Sequence, residues 1–372
     1  MKISFDREKF WKVFQIAAAV APPRSPKTIL QNILLDVDKN TCVLMATDME
    51  VGVRLQVEDV KVDSPGQAVI PVTRLSLILR ESSDEELTLE STPEKTTITG
   101  AHSRFELAGQ NPDEFPQVQT FEDQDYFEVS SKVLKELIRR TLFATDTDSS
   151  RYALGGLLLE IDEETITAVG TDGRRLAKMA GKIGKVGNPE LSKNETIVPA
   201  RSMQLIERIL PAEEVMIKIV PHNNDLLIGF ESGVVFSRLL EGRFPRWRDV
   251  LPKRTDSVKI ELNVGPMYSA IKQAAIVASE ESRGIDFEFN EGTLVLSNRT
   301  AEVGESRIDM PIDYGKGELT LTLDHRYVTD FLKVLPTEEK FTIDVESGDS
   351  AAYCETDDSY GYVIMPLSKD RD

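Results

Sequence analysis

Apolar residues recur at helical spacing in three places along the chain. Phe10, Val13, Phe14, Ala17, Ala18 and Ala21 form one stripe; Val133, Leu134, Leu137, Ile138 and Leu142 a second; Met267, Ala270, Ile271, Ala274, Ala275 and Ala278 a third. Steps of three and four residues put each set on one face of an amphipathic helix. The first and third stripes share one phase, offset by 257 residues. Each is followed by a loop and an apolar strand: ILQNILLDV, YALGGLLLEI and GIDFEF. A turn rich in Asp, Glu or Asn then leads to a second strand: TCVLMATD, TITAVGTD and TLVLSN. These strands are expected to end at Thr47-Asp48, Thr171-Asp172 and Ser297-Asn298, spaced by 124 and 126 residues. Alternation bounded by turn residues predicts hairpins in antiparallel sheets.

A second helix recurs in each repeat: VTRLSLILRE after Pro71, ARSMQLIERIL after Pro199 and DHRYVTDFLKVL after Leu323. Their apolar anchors are Leu75, Ile78 and Leu79; Leu205, Ile206, Ile209 and Leu210; Val328, Phe331, Leu332 and Leu335. An acidic turn and a short strand follow each time, ELTLES, VMIKIV and KFTIDV. The first two repeats close on similar signatures, DEFPQV at 113–118 and GRFPRWRDVLP at 242–252. The order helix, hairpin, helix, strand and Phe-Pro joint therefore runs three times, in units of roughly 120 residues. The expectation is an α+β protein of three repeated domains, 1–120, 121–253 and 254–372, each with two helices and antiparallel sheets.

Charge sharpens this picture. The 372-residue chain has 44 Lys plus Arg against 63 Asp plus Glu, a formal net charge of -19. Such a balance argues against an evenly basic DNA-binding surface and against an anionic-membrane binder, but not against a local basic face. The six helical windows total +7, which leaves -26 for the remainder; residues 131–143 alone carry +3 through Lys132, Lys135, Arg139 and Arg140 against Glu136. A shared, mildly positive helical face is expected. Three units with two helices each can curve into an arc, and two arcs can close a ring lined by helices. A positive lining would attract phosphates without reading bases.

Other compositional features narrow the class. At 40% hydrophobic the chain can build real cores. It has no apolar run approaching about 18 residues and no signal-peptide layout, so a cytoplasmic protein is expected. Cys42 and Cys354 stand far apart without metal or redox spacing, and three histidines make a histidine-rich metal site improbable. His102 in GAHSRF and His222 in PHNN lack partners at useful spacing, and His325 reads as a polar helix residue. EEVM and DDSYG do not fit an EF-hand, and no Gly-rich phosphate loop is present. No catalytic site, metal or cofactor is expected. A scaffold built from the same repeat but not bound to DNA is the alternative class, and an unrecognised hydrolase a remote third.

Four segments carry a specific resemblance: RYALGG at 151–156, TDGRRLA at 171–177, FPRWRDVLP at 244–252 and YVIMPL at 362–367. In this order, on a threefold repeat, the whole chain resembles the bacterial DNA polymerase III beta subunit, the sliding clamp family. The resemblance implies a DNA clamp fold with helices lining the inner face and sheets outside. It implies a head-to-tail homodimeric ring that encircles duplex DNA without sequence preference and tethers the replicative polymerase. Processivity in DNA replication is then the function, and a polymerase or nucleotidyltransferase label would describe the holoenzyme rather than this chain.

The same resemblance nominates residues. A pocket for peptides of the polymerase catalytic subunit, the clamp loader, other polymerases and repair factors maps to Leu154, Thr171, Gly173, Arg174, Arg175, Leu176, Pro245, Val250, Tyr327, Val363, Met365, Pro366 and Leu367. Aliphatic and Met side chains would form an adaptable apolar groove, with Arg175 and backbone groups fixing an extended peptide. DNA contacts map to Arg24, Arg74, Ser149, Arg151, Tyr152, Arg201, Arg208 and Arg283, and the ring joint to Phe105 and Leu107 against Ile276 and Val277 of a second copy. Asp249 and Arg174 depart from the family pattern at the pocket edge, and Ala200 stands at a position that is usually basic. The tail Ser368 to Asp372 runs slightly past the usual end.

Overall fold

The computed structural model describes residues 1–122, 125–146, 152–190, 195–252, 258–279, 283–300 and 303–367. The chain packs as two compact units, Met1–Lys132 with Ile183–Leu240, and Val133–Lys182 with Glu241–Asp372. The middle third of the sequence is thus divided between them. The tail 368–372, and the 253/254 joint expected from the sequence, lie outside the described residues.

All six expected helices form: α1 (Arg7–Val20), α2 (Val72–Glu81), α3 (Ser131–Thr141), α4 (Ala200–Ile209), α5 (Val264–Ala274) and α6 (His325–Lys333). Their stripes are their buried faces. Phe10, Phe14, Ala17 and Val20 are buried on α1, Leu75, Ile78 and Leu79 on α2, and Val328, Phe331 and Leu332 on α6. Two helices start where a side-chain carboxylate satisfies an otherwise orphaned backbone donor. Asp6 accepts from the Lys9 N–H at 2.8 Å, and Asp324 from the Arg326 N–H at 2.9 Å. The third stripe ends sooner than the sequence suggests: α5 stops at Ala274, and Ala275–Val277 tightens into a 3-10 turn.

In the first unit, nine antiparallel strands form one sheet. At its centre Val51–Gln56 of the first repeat pairs with Gly233–Arg238 of the second, Val51 opposite Ser237 and Leu55 opposite Gly233. A five-stranded sheet in the same unit carries Lys2–Asp6 and ends at Arg104–Ala108. In the second unit the same kind of junction recurs. Arg175–Lys182 of the second repeat pairs with Tyr360–Ile364 of the third, Arg175 opposite Ile364 and Met179 opposite Tyr360. A four-stranded sheet, with Gly304–Pro311 at one edge and Leu319–Asp324 at the other, completes the unit. Sheets run through the repeat joints, so each joint is held by ladder hydrogen bonds as well as by side-chain packing.

Three local expectations are corrected. The segments ILQN and YALG do not extend the following strands: Thr28–Gln31 and Tyr152–Gly155 are 3-10 turns, and the strands begin at Asn32 and Gly156. Asn32 explains the first case, because its buried amide donates to the carbonyls of Thr28 and Ile29 at 3.0 and 2.9 Å. The strand expected to end at Ser297-Asn298 continues to Thr300, where it pairs with Gly304. Cys42 and Cys354 are buried free thiols, and burial pushes the Cys42 pKa up to about 12. Both are core residues. No helix among the described residues is long and apolar enough to cross a membrane.

Gly170, on strand Thr165–Thr171, has no room for a side chain: a Cβ there would collide with the carbonyl oxygen of Thr141 at the end of α3. Backbone cannot yield as a side-chain tip can. Gly170→Ala should lower unfolding stability by about 1–3 kcal/mol in urea titration. An unchanged midpoint would show that α3 shifts freely.

Candidate functional site

Two motifs far apart in sequence meet in the second unit. TDGRR forms a tight turn between strands Thr165–Thr171 and Arg175–Lys182. Thr171 Oγ1 donates to the Arg175 carbonyl at 2.6 Å and accepts from the Gly173 N–H at 3.1 Å. Asp172 Oδ1 accepts from the backbone N–H groups of Arg174 and Arg175 at 2.8 and 2.9 Å. Gly173 sits at φ 87°, a conformation that favours glycine, and nothing lies within 4 Å of where a Cβ would be. The turn therefore presents an open backbone to solvent.

The C-terminal segment runs beside it. Beyond Ile364, the Met365 N–H donates to the Arg174 carbonyl at 2.9 Å and the Leu367 N–H to the Thr322 carbonyl at 2.8 Å. Leu154, Thr171, Leu176 and Val363 are buried. Met365 and Leu367 remain 43% and 36% exposed, large apolar side chains held at the surface by strand pairing beneath them. Pro366 between them is half-buried. Pro245 and Val250 are exposed and flank the 3-10 turn Trp247–Asp249. That turn is pinned to Glu160: Trp247 Nε1 donates at 3.1 Å, and the Arg248 guanidinium, stacked 4.2 Å from the Trp247 ring, donates at 3.0 and 2.6 Å.

Arg175 is held by several groups of the protein. Its Nε bonds Asp172 at 3.0 Å, Nη1 bonds Asp330 at 2.7 Å, and Nη2 donates to the Phe143 carbonyl at 2.7 Å. The guanidinium also lies 4.5 Å from the Tyr327 ring centroid, within cation–π reach. With all three nitrogens engaged inside the protein, Arg175 braces the turn and Tyr327 while still lining the cleft beside them. A polar cleft of about 660 Å³ opens beside it, lined by Arg174, Arg283, Arg326, Tyr327 and Asp330 among others. Burial works against the Asp324 carboxylate, yet hydrogen bonds from Arg326 hold its pKa below the usual range. Burial, ahead of neighbouring cations, lowers the pKa of His325.

The remaining nominated residues divide by element. Arg74, Arg201 and Arg208 are exposed on α2 and α4, and Arg24 on the loop after α1. Arg201 and Arg208 line one small pocket together, whereas Arg283 belongs to the larger cleft. Ser149 and Arg151 lie outside the described residues, as does the Tyr152 side chain. The charge expected of the third helix is smaller at its surface than the sequence sum. Arg140 is buried and bonds Glu136 at 3.0 Å and Asp358 at 2.5 Å, with Glu339 at 3.7 Å. Phe105, 36% exposed, and the half-buried Leu107 occupy an edge strand. Ile276, 75% exposed, and half-buried Val277 occupy the turn after α5. Among the described residues no group of three or more His, Cys, Asp or Glu could hold a metal ion.

Repeated helix pairs backed by sheets that run through their joints, with apolar patches at sheet edges and beside strand ends, define a clamp-type binding scaffold. Residues 1–119, 128–246 and 248–368 match the N-terminal, central and C-terminal domains of the DNA polymerase III beta subunit. The beta sliding clamp of Chlamydia muridarum is 29% identical over 90% of both chains, and that of Pseudomonas aeruginosa 29% identical over 99% of this chain and 100% of the relative. A solved sliding clamp from Pseudomonas aeruginosa, bound to griselimycin, superposes with a TM-score of 0.91 at 27% identity, covering 99% of this chain and 100% of that one. The chain belongs to the DNA polymerase III beta subunit family. It is a processivity factor of DNA replication, a DNA clamp.

Glu160 and Asp330 carry no local signal in the sequence. Glu160 lies 87 positions from Trp247, and Asp330 lies 155 from Arg175, so no spacing announces either pair. Arg175→Ala would leave Asp172 and Asp330 without their cation in a largely buried setting. Removing one partner from such a network costs about 3–5 kcal/mol, and a drop of that order in chemical denaturation is expected. A loss under about 1 kcal/mol, typical of exposed pairs, would show that Arg175 is not a brace.

Proposed function

We propose that two copies of this chain close head to tail into a ring around duplex DNA. The three repeats, 1–120, 121–253 and 254–372, then act as three domains per copy, with helices toward the DNA and sheets outside. One observation carries this reading: the first and third repeats each end in an unpaired sheet edge beside exposed apolar side chains. Those edges are Arg104–Ala108, with Phe105, and Gly304–Pro311, near Ile276 and Val303. An open edge is a template for another chain. Pairing one copy's first-repeat edge with the other's third-repeat edge satisfies both, and two such joints close a ring. Phe105 and Leu107 then meet Ile276 and Val277 of the partner.

Inside the ring, Arg24, Arg74, Ser149, Arg151, Tyr152, Arg201, Arg208 and Arg283 contact phosphates. Such contact is loose and salt-sensitive, because a sliding protein has no preferred register. The chain's net charge of -19 keeps DNA from the outer surface. Peptide segments of the replicative polymerase, the clamp loader, other polymerases and repair factors dock on the groove of Leu154, Thr171, Gly173, Arg175, Leu176, Tyr327, Val363, Met365, Pro366 and Leu367. Arg174, Pro245 and Val250 form its edges. What supports this site is the exposure of Met365 and Leu367 beside an open backbone turn, and Met surfaces adapt to varied partners.

The ring is tested on nicked circular DNA. After loader-assisted assembly the protein should stay on the circle and leave when the circle is linearised; equal retention on linear DNA would refute it. Ile276→Asp should give a monomer in sedimentation and abolish retention. For the groove, the double variant M365A/L367A should weaken binding of a polymerase-derived peptide at least tenfold while dimer mass is unchanged. Unaltered affinity would remove the site from this surface.

A further inference from the structure

The joint between the first and second repeats reproduces the backbone frame of the joint that carries the groove. Thr47 Oγ1 donates to the Val51 carbonyl and accepts from the Met49 N–H, as Thr171 does with Arg175 and Gly173. Asp48 Oδ1 caps the N–H groups of Glu50 and Val51, as Asp172 caps those of Arg174 and Arg175. The Arg238 N–H donates to the Glu50 carbonyl at 2.8 Å, matching Met365 to Arg174. The Leu240 N–H donates to the Ile197 carbonyl at 2.8 Å, matching Leu367 to Thr322. Both acceptors lie on the strand that leads into the repeat's second helix, α4 or α6.

We propose that this first joint is a second docking site, for a short extended peptide that combines apolar with acidic side chains. The proposal rests in part on reading the second joint as a peptide groove. A pocket of about 180 Å³ lies there, with Val20, Val51 and Leu205 as its apolar wall and Arg201, Gln204 and Arg208 as its polar one. No carboxylate lines it. Asp48 holds Arg201 at 2.7 Å, while Arg208 makes no ion pair among the described residues, so one cation stays uncompensated. The second-joint cleft is lined by Asp146, Asp172 and Asp330 as well as by Arg174, Arg175, Arg283 and Arg326. The two joints are thus built on one frame but tuned to different charge.

Met49 points the same way. It occupies the place of Gly173, yet it is not a glycine: its φ is 80°, a region that costs a side-chain-bearing residue free energy. It is 42% exposed, on the turn that leads into Val51. A flexible, polarizable side chain held in strained backbone two residues before the pocket residue Val51 is suited to an apolar ligand group. A sugar-phosphate backbone would use Arg208 but not that apolar wall, so a peptide fits the whole pocket better than DNA does. Because Arg201 and Arg208 are also proposed to face the duplex, DNA is the competing occupant.

The test uses the full-length protein labelled with 13C at its methionine methyls. Met49 reports on the first joint and Met365 on the second. The probes are the acetylated, amidated pentapeptide Glu-Leu-Asp-Leu-Glu and, separately, a 20-base-pair duplex. The peptide should shift the Met49 methyl to saturation, and Arg208→Glu should weaken that response at least tenfold without moving Met365's response. Met49→Gly, which relieves the positive φ, should keep or raise Tm. Read by anisotropy of the labelled peptide in an M365A/L367A background, it should lower the remaining affinity at least threefold. A Met49 methyl that stays still, or that moves with the duplex and not with the peptide, overturns the proposal. Movement of Met365 alone does so while leaving the second-joint groove standing; movement of Met49 alone sinks the groove and keeps this site.

Discussion

Sheet edges must be satisfied, and the structure depends on how each repeat meets that demand. A strand left with free N–H and C=O groups pairs with whatever strand is offered. Here Val51–Gln56 finds Gly233–Arg238, and Arg175–Lys182 finds Tyr360–Ile364. Repeats that could have hung together by flexible linkers are instead joined through backbone ladders. The same constraint explains why the middle repeat is shared between two compact units. It also leaves edge strands with one partner each, Arg104–Ala108 and Gly304–Pro311 among them.

The candidate site sits on the ladders. The TDGRR turn and the Met365–Leu367 segment face one another because their strands pair, residue against residue, directly beneath them. Arg175 then locks the turn from inside, spending its three nitrogens on Asp172, Asp330 and the Phe143 carbonyl. The apolar side chains above are left exposed, since the strand below already fixes their backbone. The first joint shows what happens when this frame is kept and its side chains change: Gly173 gives way to Met49, and a cleft lined by arginines and aspartates gives way to a smaller pocket lined by arginines without a carboxylate.

Much of this was legible in the amino acids. The six stripes named the six helices and their buried faces, because i, i+3 and i+4 apolar spacing has one efficient use in a packed protein. The hairpins followed from alternation and turn residues. Where the reading slipped, a side chain overrode the local pattern: Asn32 turned ILQN into a 3-10 turn by taking two carbonyls for itself. Charge was read less well than apolarity. Arg140 counts toward a basic helix in the sequence sum, yet it is buried among Glu136, Glu339 and Asp358. A charge carries no periodicity that says whether it faces water or a partner far along the chain.

The sequence by itself therefore determined the repeat, the helices and strands of each copy, and, through four short motifs, the family. Those properties are local or self-similar, and burial of an apolar stripe depends only on neighbours a few residues away. Tertiary structure alone decided which strands pair across the joints, that Arg175 serves as a brace, that Glu160 anchors the Trp247 turn, and that the two joints share one hydrogen-bonded frame. Each of these joins groups from different repeats or distant segments. Their proximity is a consequence of the completed sheets, and no spacing along the chain encodes it.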